Sequence, residues 1–161
     1  MGRLTHLAGR FFTSLRPGGP SSADEAWVRS HLTPPEVELW ARMGNPDRRH
    51  AVRVARRTEE ALGERATPAV MAAALLHDVG KTVSGLRTLG RVLATISRRV
   101  APTGITRRVG LYLVYPELGA DLLTAADSDP LTVAWARQHH SPEEEWTVPA
   151  ELGRALAAAD E

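Results

Sequence analysis

Cysteine is absent from the 161 residues. That excludes a disulfide scaffold, a Cys-ligated zinc finger, an iron–sulfur cluster and a thiol nucleophile. It fits a reducing compartment, and a cytoplasmic protein is the expectation. An excess of one charge is also lacking. Twenty Lys and Arg stand against 19 Asp and Glu, a net charge of +1, so no stable nucleic-acid binding is expected. No apolar run reaches the ~18–20 residues that span a bilayer, so no transmembrane segment is read. Alternating strand patterns of useful length, internal repeats, G-x-G-x-x-G and P-loop motifs are all missing. Aromatic residues make up only 5% of the chain, and the expected role of Trp27, Trp40, Trp135 and Trp146 is core packing. Lysine is nearly absent too. Lys81 is the only one among 20 Lys and Arg residues, which marks it as a position where Arg would not serve.

What is present reads as helix almost throughout. A chain of this length is one domain's worth and buries ~70% of its unfolded surface, so it folds without cross-links. Residues 1–20 form a basic tail that ends in the breaker Pro17-Gly18-Gly19-Pro20. Arg10 interrupts its apolar stretch and no small-residue cleavage site follows, unlike a signal peptide. Leu4, Leu7, Phe11 and Leu15 recur at helical spacing, suited to an amphipathic contact with a membrane or partner. The plainer reading is a flexible, solvated tail.

The domain then spans 21–161, with its motif core at 46–161. Ser22 and Glu25 match a capping box, and Thr33 and Glu36 repeat it with Pro34 in the first turn. Gly44 is expected to stop that helix after Met43. Asn45-Pro46 opens a helix to Leu62, closed by Gly63. Thr67-Pro68 opens the apolar run Val70 to Leu76. Leu86, Leu89, Val92, Leu93, Ile96 and Val100 mark an amphipathic helix, and a further segment runs from Thr106 to Val114. Pro116 begins another helix, Ser128-Asp129-Pro130 caps one running to about His139, and Val148-Pro149 opens the last. The prediction is an all-α, compact bundle of about seven to nine helices.

Six histidines occur, and four have distinctive settings. His77 and Asp78 leave the end of an apolar, hence buried, helix. A buried carboxylate must be paired, hydrogen-bonded or bound to metal. Gly80 permits a tight turn that lets Lys81 fold back on the pair. His50 heads the stripe continued by Val54 and Arg57. Ala157-Ala158-Ala159-Asp160 sets a carboxylate in a small-residue helix, and Asp127 and Asp129 are alternatives to it. Two His and two Asp form a nitrogen-and-oxygen set that suits Mn, Fe, Mg, Ni, Co or Zn. Taken singly, each is more often a core histidine or a solvated carboxylate. The arginines Arg48, Arg49, Arg53, Arg56 and Arg57 read most simply as a solvated helix face.

The string Arg48-Arg49-His50-Ala51-Val52-Arg53-Val54-Ala55, then Leu75-Leu76-His77-Asp78-Val79-Gly80-Lys81, resembles the HD superfamily of metal-dependent phosphohydrolases. Tyr115-Pro116-Glu117-Leu118-Gly119-Ala120, Gln138-His139-His140 and Ala157 to Asp160 extend the likeness over residues 50–160. The His77-Asp78-x-Gly80-Lys81 element is its most specific part. The resemblance implies one divalent metal held by His50, His77, Asp78 and Asp160. It also implies hydrolysis of a small phosphate ester, of nucleotide type, by metal-activated water. In this scheme Asp78 orients the water, Lys81 steadies the phosphoryl charge and His139 or His140 protonates the leaving oxygen. Arg53 and Arg57, with Lys81, would bind the substrate. Two-metal members carry His where this chain has Tyr115, so one metal is expected here. The Gly-Tyr-Pro element of cyclic dinucleotide phosphodiesterases is replaced by Ser141-Pro142-Glu143-Glu144-Glu145-Trp146. The alternative expectation is an HD-type module that binds metal or nucleotide in a regulatory role without turnover. A homodimer packed through Leu4 to Leu15 and Trp27 is the candidate assembly.

Overall fold

Residues 18–84 and 114–161 are described in a computed structural model of the chain. The helix marked by Leu86 to Val100, the segment beginning at Thr106 and the apolar residues Leu4 to Leu15 lie outside them. The described residues form helices and no strands, as the patterning predicts. Seven helices are of eight residues or more: α1 (Ser22–Arg29), α2 (Pro34–Arg42), α3 (Asn45–Leu62), α4 (Pro68–Leu76), α6 (Tyr115–Ala125), α7 (Pro130–Gln138) and α8 (Ala150–Asp160). A single turn, α5 (Lys81–Ser84), follows α4.

Local chemistry sets most boundaries. Proline stands in the first turn of α2, α3, α4, α6 and α7, where its missing N–H is no loss. At α2 the Thr33 N–H and hydroxyl both donate to Glu36 Oε2 at 2.9 Å, the reciprocal cap expected there. The Thr67 hydroxyl accepts from the Val70 N–H at α4, and the Asp129 carboxylate accepts from the Leu131 N–H at α7. Gly63 ends α3 at φ 53°, a left-handed conformation that favours glycine.

The first boundary differs from expectation by one residue. Ser21, not Ser22, caps α1, its hydroxyl accepting from the Asp24 N–H at 3.1 Å. Either serine could serve. The observed register turns Glu25 inward, where it accepts from Trp40 Nε1 and Arg48 Nη1, both at 3.0 Å. Two burial-driven contacts thus decide between two equivalent caps. The α2 helix also stops one residue short of Met43, which becomes its cap, and Gly44 caps α3 instead.

Helix α4 is the axis of the core. It is apolar on every side, and Val70 to Leu76 are all buried. Such a helix needs partners all round. Helices α2, α3 and α7 pack against it, α8 packs on α3, and α6 packs on α7 and α5. Leu75 and Leu76 are fully covered, each worth about 2–3 kcal/mol of transfer free energy. Trp40 and Trp135 are core residues as expected. Trp27 is only partly buried, and its ring carries the Arg56 guanidinium 3.5 Å from its centroid. Arg56 is therefore not simply solvated. Trp146 is also partly buried and leans on Trp135, with ring centroids 5.3 Å apart.

One close approach positions the site. Gly80 lies against the start of α6. A Cβ on Gly80 would overlap the Tyr115 carbonyl oxygen and come within 2.6 Å of the Gly119 nitrogen. Only glycine allows the two segments this near, which brings Tyr115 beside Lys81. Among the described residues, no helix is long and apolar enough to cross a membrane.

Candidate metal centre

His77 is the C-cap of α4, so its imidazole emerges where the buried helix ends. Its Nδ1 lies 2.9 Å from the Ala74 carbonyl oxygen, which can only accept. The proton therefore sits on Nδ1, and the Nε2 lone pair points away from the helix. That Nε2 is buried and has no hydrogen-bond partner. A buried polar atom without a partner is costly, and its presence calls for a reason. A second group on the other nitrogen that fixes tautomer and orientation is also what metal-ligating histidines have.

The second turn of α3, the turn after α4 and the end of α8 bring further donors to this atom. One ligand atom from each of His50, His77 and Asp78 lies within 4.8 Å of the others, a group that could hold a metal ion. Asp160, from α8, adds a second carboxylate. Its Oδ1 is 2.6 Å from His50 Nε2, which donates to it, and 3.8 Å from His77 Nε2. Asp129 is committed to capping α7, and Asp127 is exposed in a left-handed turn at φ 55°. Asp160 is thus the carboxylate that the fold brings to the histidines, across 110 residues of sequence.

The charges are held in place by their neighbours. Burial raises the pKa of Asp78, but Lys81, His77 and His139 outweigh it, and the carboxyl stays well below its usual range. Lys81 Nζ donates to Asp78 Oδ2 in a tight ion pair and lies 5.0 Å from the centroid of the Tyr115 ring. Burial likewise opposes ionisation of Asp160, while the hydrogen bond from His50 and the nearby His77 hold its pKa down. Both carboxylates are therefore anionic at neutral pH. The set offers two imidazoles and two carboxylates, hard enough for a divalent first-row ion or Mg. It leaves part of such an ion's coordination sphere to water or substrate.

His139 and His140 close the other side. His139 is the C-cap of α7, and its Nδ1–H donates to the Ala136 carbonyl at 3.0 Å. Its Nε2 faces Asp78 Oδ1 at 3.8 Å. Burial, then repulsion from His77, pushes its pKa down to about 3, so the ring is neutral. Burial also lowers the pKa of the more exposed His140. The Tyr115 hydroxyl reaches both rings, His139 Nε2 at 3.3 Å and His140 Nε2 more tightly.

The arginines expected to grip substrate have other partners. Arg57 Nη1 donates to the Ala159 carbonyl at 3.2 Å, next to Asp160. Exposed Arg53 donates to the Arg49 carbonyl at 3.2 Å. Sequence patterning missed two features of the centre. The Tyr115 hydroxyl bridge had a signal in the Gly80 and Gly119 pair that brings α6 close. The Arg57 contact had none, because its partner is a backbone carbonyl 102 residues away. No family model, curated protein or solved structure matches the chain.

Proposed function

We propose that this protein is a metal-dependent phosphohydrolase acting on a small phosphate ester, of nucleotide type. The observation that carries the reading is the buried, unpartnered His77 Nε2, oriented by the Ala74 carbonyl and set among His50, Asp78 and Asp160. The resemblance of the His50, His77-Asp78-x-Gly80-Lys81 and Asp160 string to the HD superfamily supports the same reading.

In this reading His50, His77, Asp78 and Asp160 hold one divalent cation of the Mn, Fe, Mg, Ni, Co or Zn group. Such an ion, when bound, acidifies water and withdraws charge from a phosphoryl oxygen. The remaining work falls to side chains. Asp78 turns Oδ2 towards His77 and Oδ1 towards His139, and in this reading its carboxylate would orient the attacking water. Lys81 supplies a compact positive charge beside Asp78, suited to charge that develops on phosphorus-bound oxygen. In this reading His140, the more exposed imidazole, would in its protonated form give a proton to the leaving oxygen. Arg57 is assigned to holding α8 rather than to substrate.

A second reading is a module that binds metal or nucleotide without turnover. The tight Lys81–Asp78 pair favours it, because that ammonium competes for the carboxylate. Metal content per chain, measured for wild type and Asp78→Ala, followed by a phosphate-ester panel, separates the two. About one equivalent and ester hydrolysis in wild type, with both lost in Asp78→Ala, is the result expected. Metal binding without hydrolysis of any mono- or diester leaves the second reading. Hydrolysis that survives Asp78→Ala unchanged places the chemistry elsewhere.

A further inference from the structure

His139 and His140 leave α7 on a turn that the Ser141 N–H closes on the Gln138 carbonyl at 2.8 Å. Residues 141–147 then run towards α8 through one 3₁₀ turn, Glu143–Glu145. Two polar clasps fasten this stretch to the histidine turn. Gln138 Oε1 accepts from the Thr147 N–H at 2.8 Å and from the Thr147 hydroxyl at 3.2 Å. The Trp146 indole Nε1–H donates to the Ser141 carbonyl at 3.0 Å. Ser141 follows His140 directly, so this second clasp restrains the backbone that carries the His140 ring.

The indole is itself gripped from two sides. Its ring meets Trp135 of α7 edge-on, with centroids 5.3 Å apart. On the other side lies Gly153 of α8, where a Cβ would come within 2.6 Å of the ring. Glu143 adds an exposed ion pair with Arg154 of α8 at 2.7 Å, a weak tie by itself. Trp146 thus refers the position of His140 to α8, the helix that ends in Asp160. Packing alone would ask only for an aromatic ring here. The indole N–H is the part that reaches the histidine turn. A proton donor and the groups that hold a phosphate ester must keep a fixed separation, because small misplacements cost rate.

We propose that Trp146 is a positioning residue for His140, acting through the Ser141 carbonyl, and that residues 141–147 form the clasp that fixes His140 relative to Asp160. Its catalytic sense rests on the phosphohydrolase reading above; the clasp itself does not.

Diethyl pyrocarbonate labelling in chelator, with each modified histidine located by mass spectrometry, tests it. The reagent acylates an imidazole nitrogen, and the Tyr115 hydroxyl covers His140 Nε2. Trp146→Phe keeps a ring but loses the N–H. It is expected to raise the labelling rate of His140 about 5-fold, the weight of one hydrogen bond, and to leave His31 unchanged. Gln138→Met removes the other clasp and should act in the same direction. Circular dichroism and thermal melting confirm that each variant is folded. Unchanged His140 labelling in folded Trp146→Phe overturns the proposal, and Gln138→Met decides by the same criterion should Trp146→Phe not fold. An equal rise at His31 also overturns it, since that is general loosening. With a phosphate ester that wild type hydrolyses, Trp146→Phe should lower kcat about 5-fold at unchanged KM and Mn²⁺ content. The same change should do nothing further in His140→Gln, and a loss that persists there overturns the positioning role. Faster His140 labelling in a protein that hydrolyses no ester supports the clasp and sinks the phosphohydrolase reading.

Discussion

His77 and His139 are built alike and end differently. Each caps the C-terminus of a helix, α4 or α7, and each donates Nδ1–H to the carbonyl of an alanine three residues earlier. Each therefore presents an Nε2 lone pair to the same carboxylate, Asp78. The difference is in what meets that lone pair. At His77 it meets no hydrogen-bond donor. At His139 it meets the Tyr115 hydroxyl. One phenol oxygen thus distinguishes an Nε2 without a hydrogen-bond partner from a hydrogen-bonded one.

The strongest way to break this comparison is to truncate the two rings in parallel. Gln keeps polar bulk but loses the imidazole lone pair. His77→Gln is expected to weaken Mn²⁺ affinity by more than about 100-fold, beyond the usual loss when only an outer partner of a ligand is removed. His139→Gln is expected to change it by less than about 10-fold. Titration calorimetry on both variants checks this. Equal losses would mean that the two histidines are the same kind of group, and the Tyr115 distinction would be empty.

Much of this arrangement is legible from residue order. Proline in first turns, Thr33 with Glu36 and Thr67 mark the helices within a residue or so. His50, His77-Asp78 and Asp160 share a donor chemistry that stands out against the apolar or small-residue runs around them. The rest is not local. Ser21 wins over Ser22 because Glu25 is drawn to Trp40 and Arg48, 15 and 23 residues away. The choice of Asp160 over Asp129 depends on α8 packing against α3. Arg57 reads as a phosphate clamp, and its contact with the Ala159 carbonyl is invisible in the sequence. Tyr115 reads as a lost histidine, whereas in three dimensions its oxygen takes up two imidazoles.

Acid sharpens the comparison in a second way. In the fold, burial and His77 keep His139 neutral down to about 3, but in the unfolded chain it protonates near 6.5. Below 6.5 the unfolded state takes up a proton that the folded state refuses. Stability therefore falls as pH drops from 6.5 towards 3, at up to about 1.4 kcal/mol per pH unit from this group. The carboxyls of Asp78 and Asp160, also held low, act in the same direction at more acid pH. Urea unfolding in chelator across pH 7 to 4 reads the slope. In His139→Gln the slope between about pH 6.5 and 5 should flatten, since the group that refuses the proton is gone. An unchanged slope would place the proton-refusing group elsewhere.

The smallest expected effect concerns the other end of the centre. In the proposed centre Asp160 would contribute one carboxylate oxygen, and α3 holds its helix at two points. His50 reaches the Asp160 carboxylate, and Arg57, two turns further along α3, donates to the Ala159 carbonyl. A guanidinium on that carbonyl restrains the backbone from which the carboxylate projects, and it adds favourable charge at a helix C-terminal end. Arg57→Ala is expected to weaken Mn²⁺ affinity by about 10-fold, the lower range for an outer partner of a ligand. Thermal stability measured in chelator should hardly move, because the side chain is exposed. Arg57→Lys keeps the charge but not the fork, and should recover part of the loss. If affinity and stability fell together, Arg57 would be ordinary packing. If affinity held while KM for a phosphate ester rose, Arg57 would be the substrate clamp that its position in the sequence suggests.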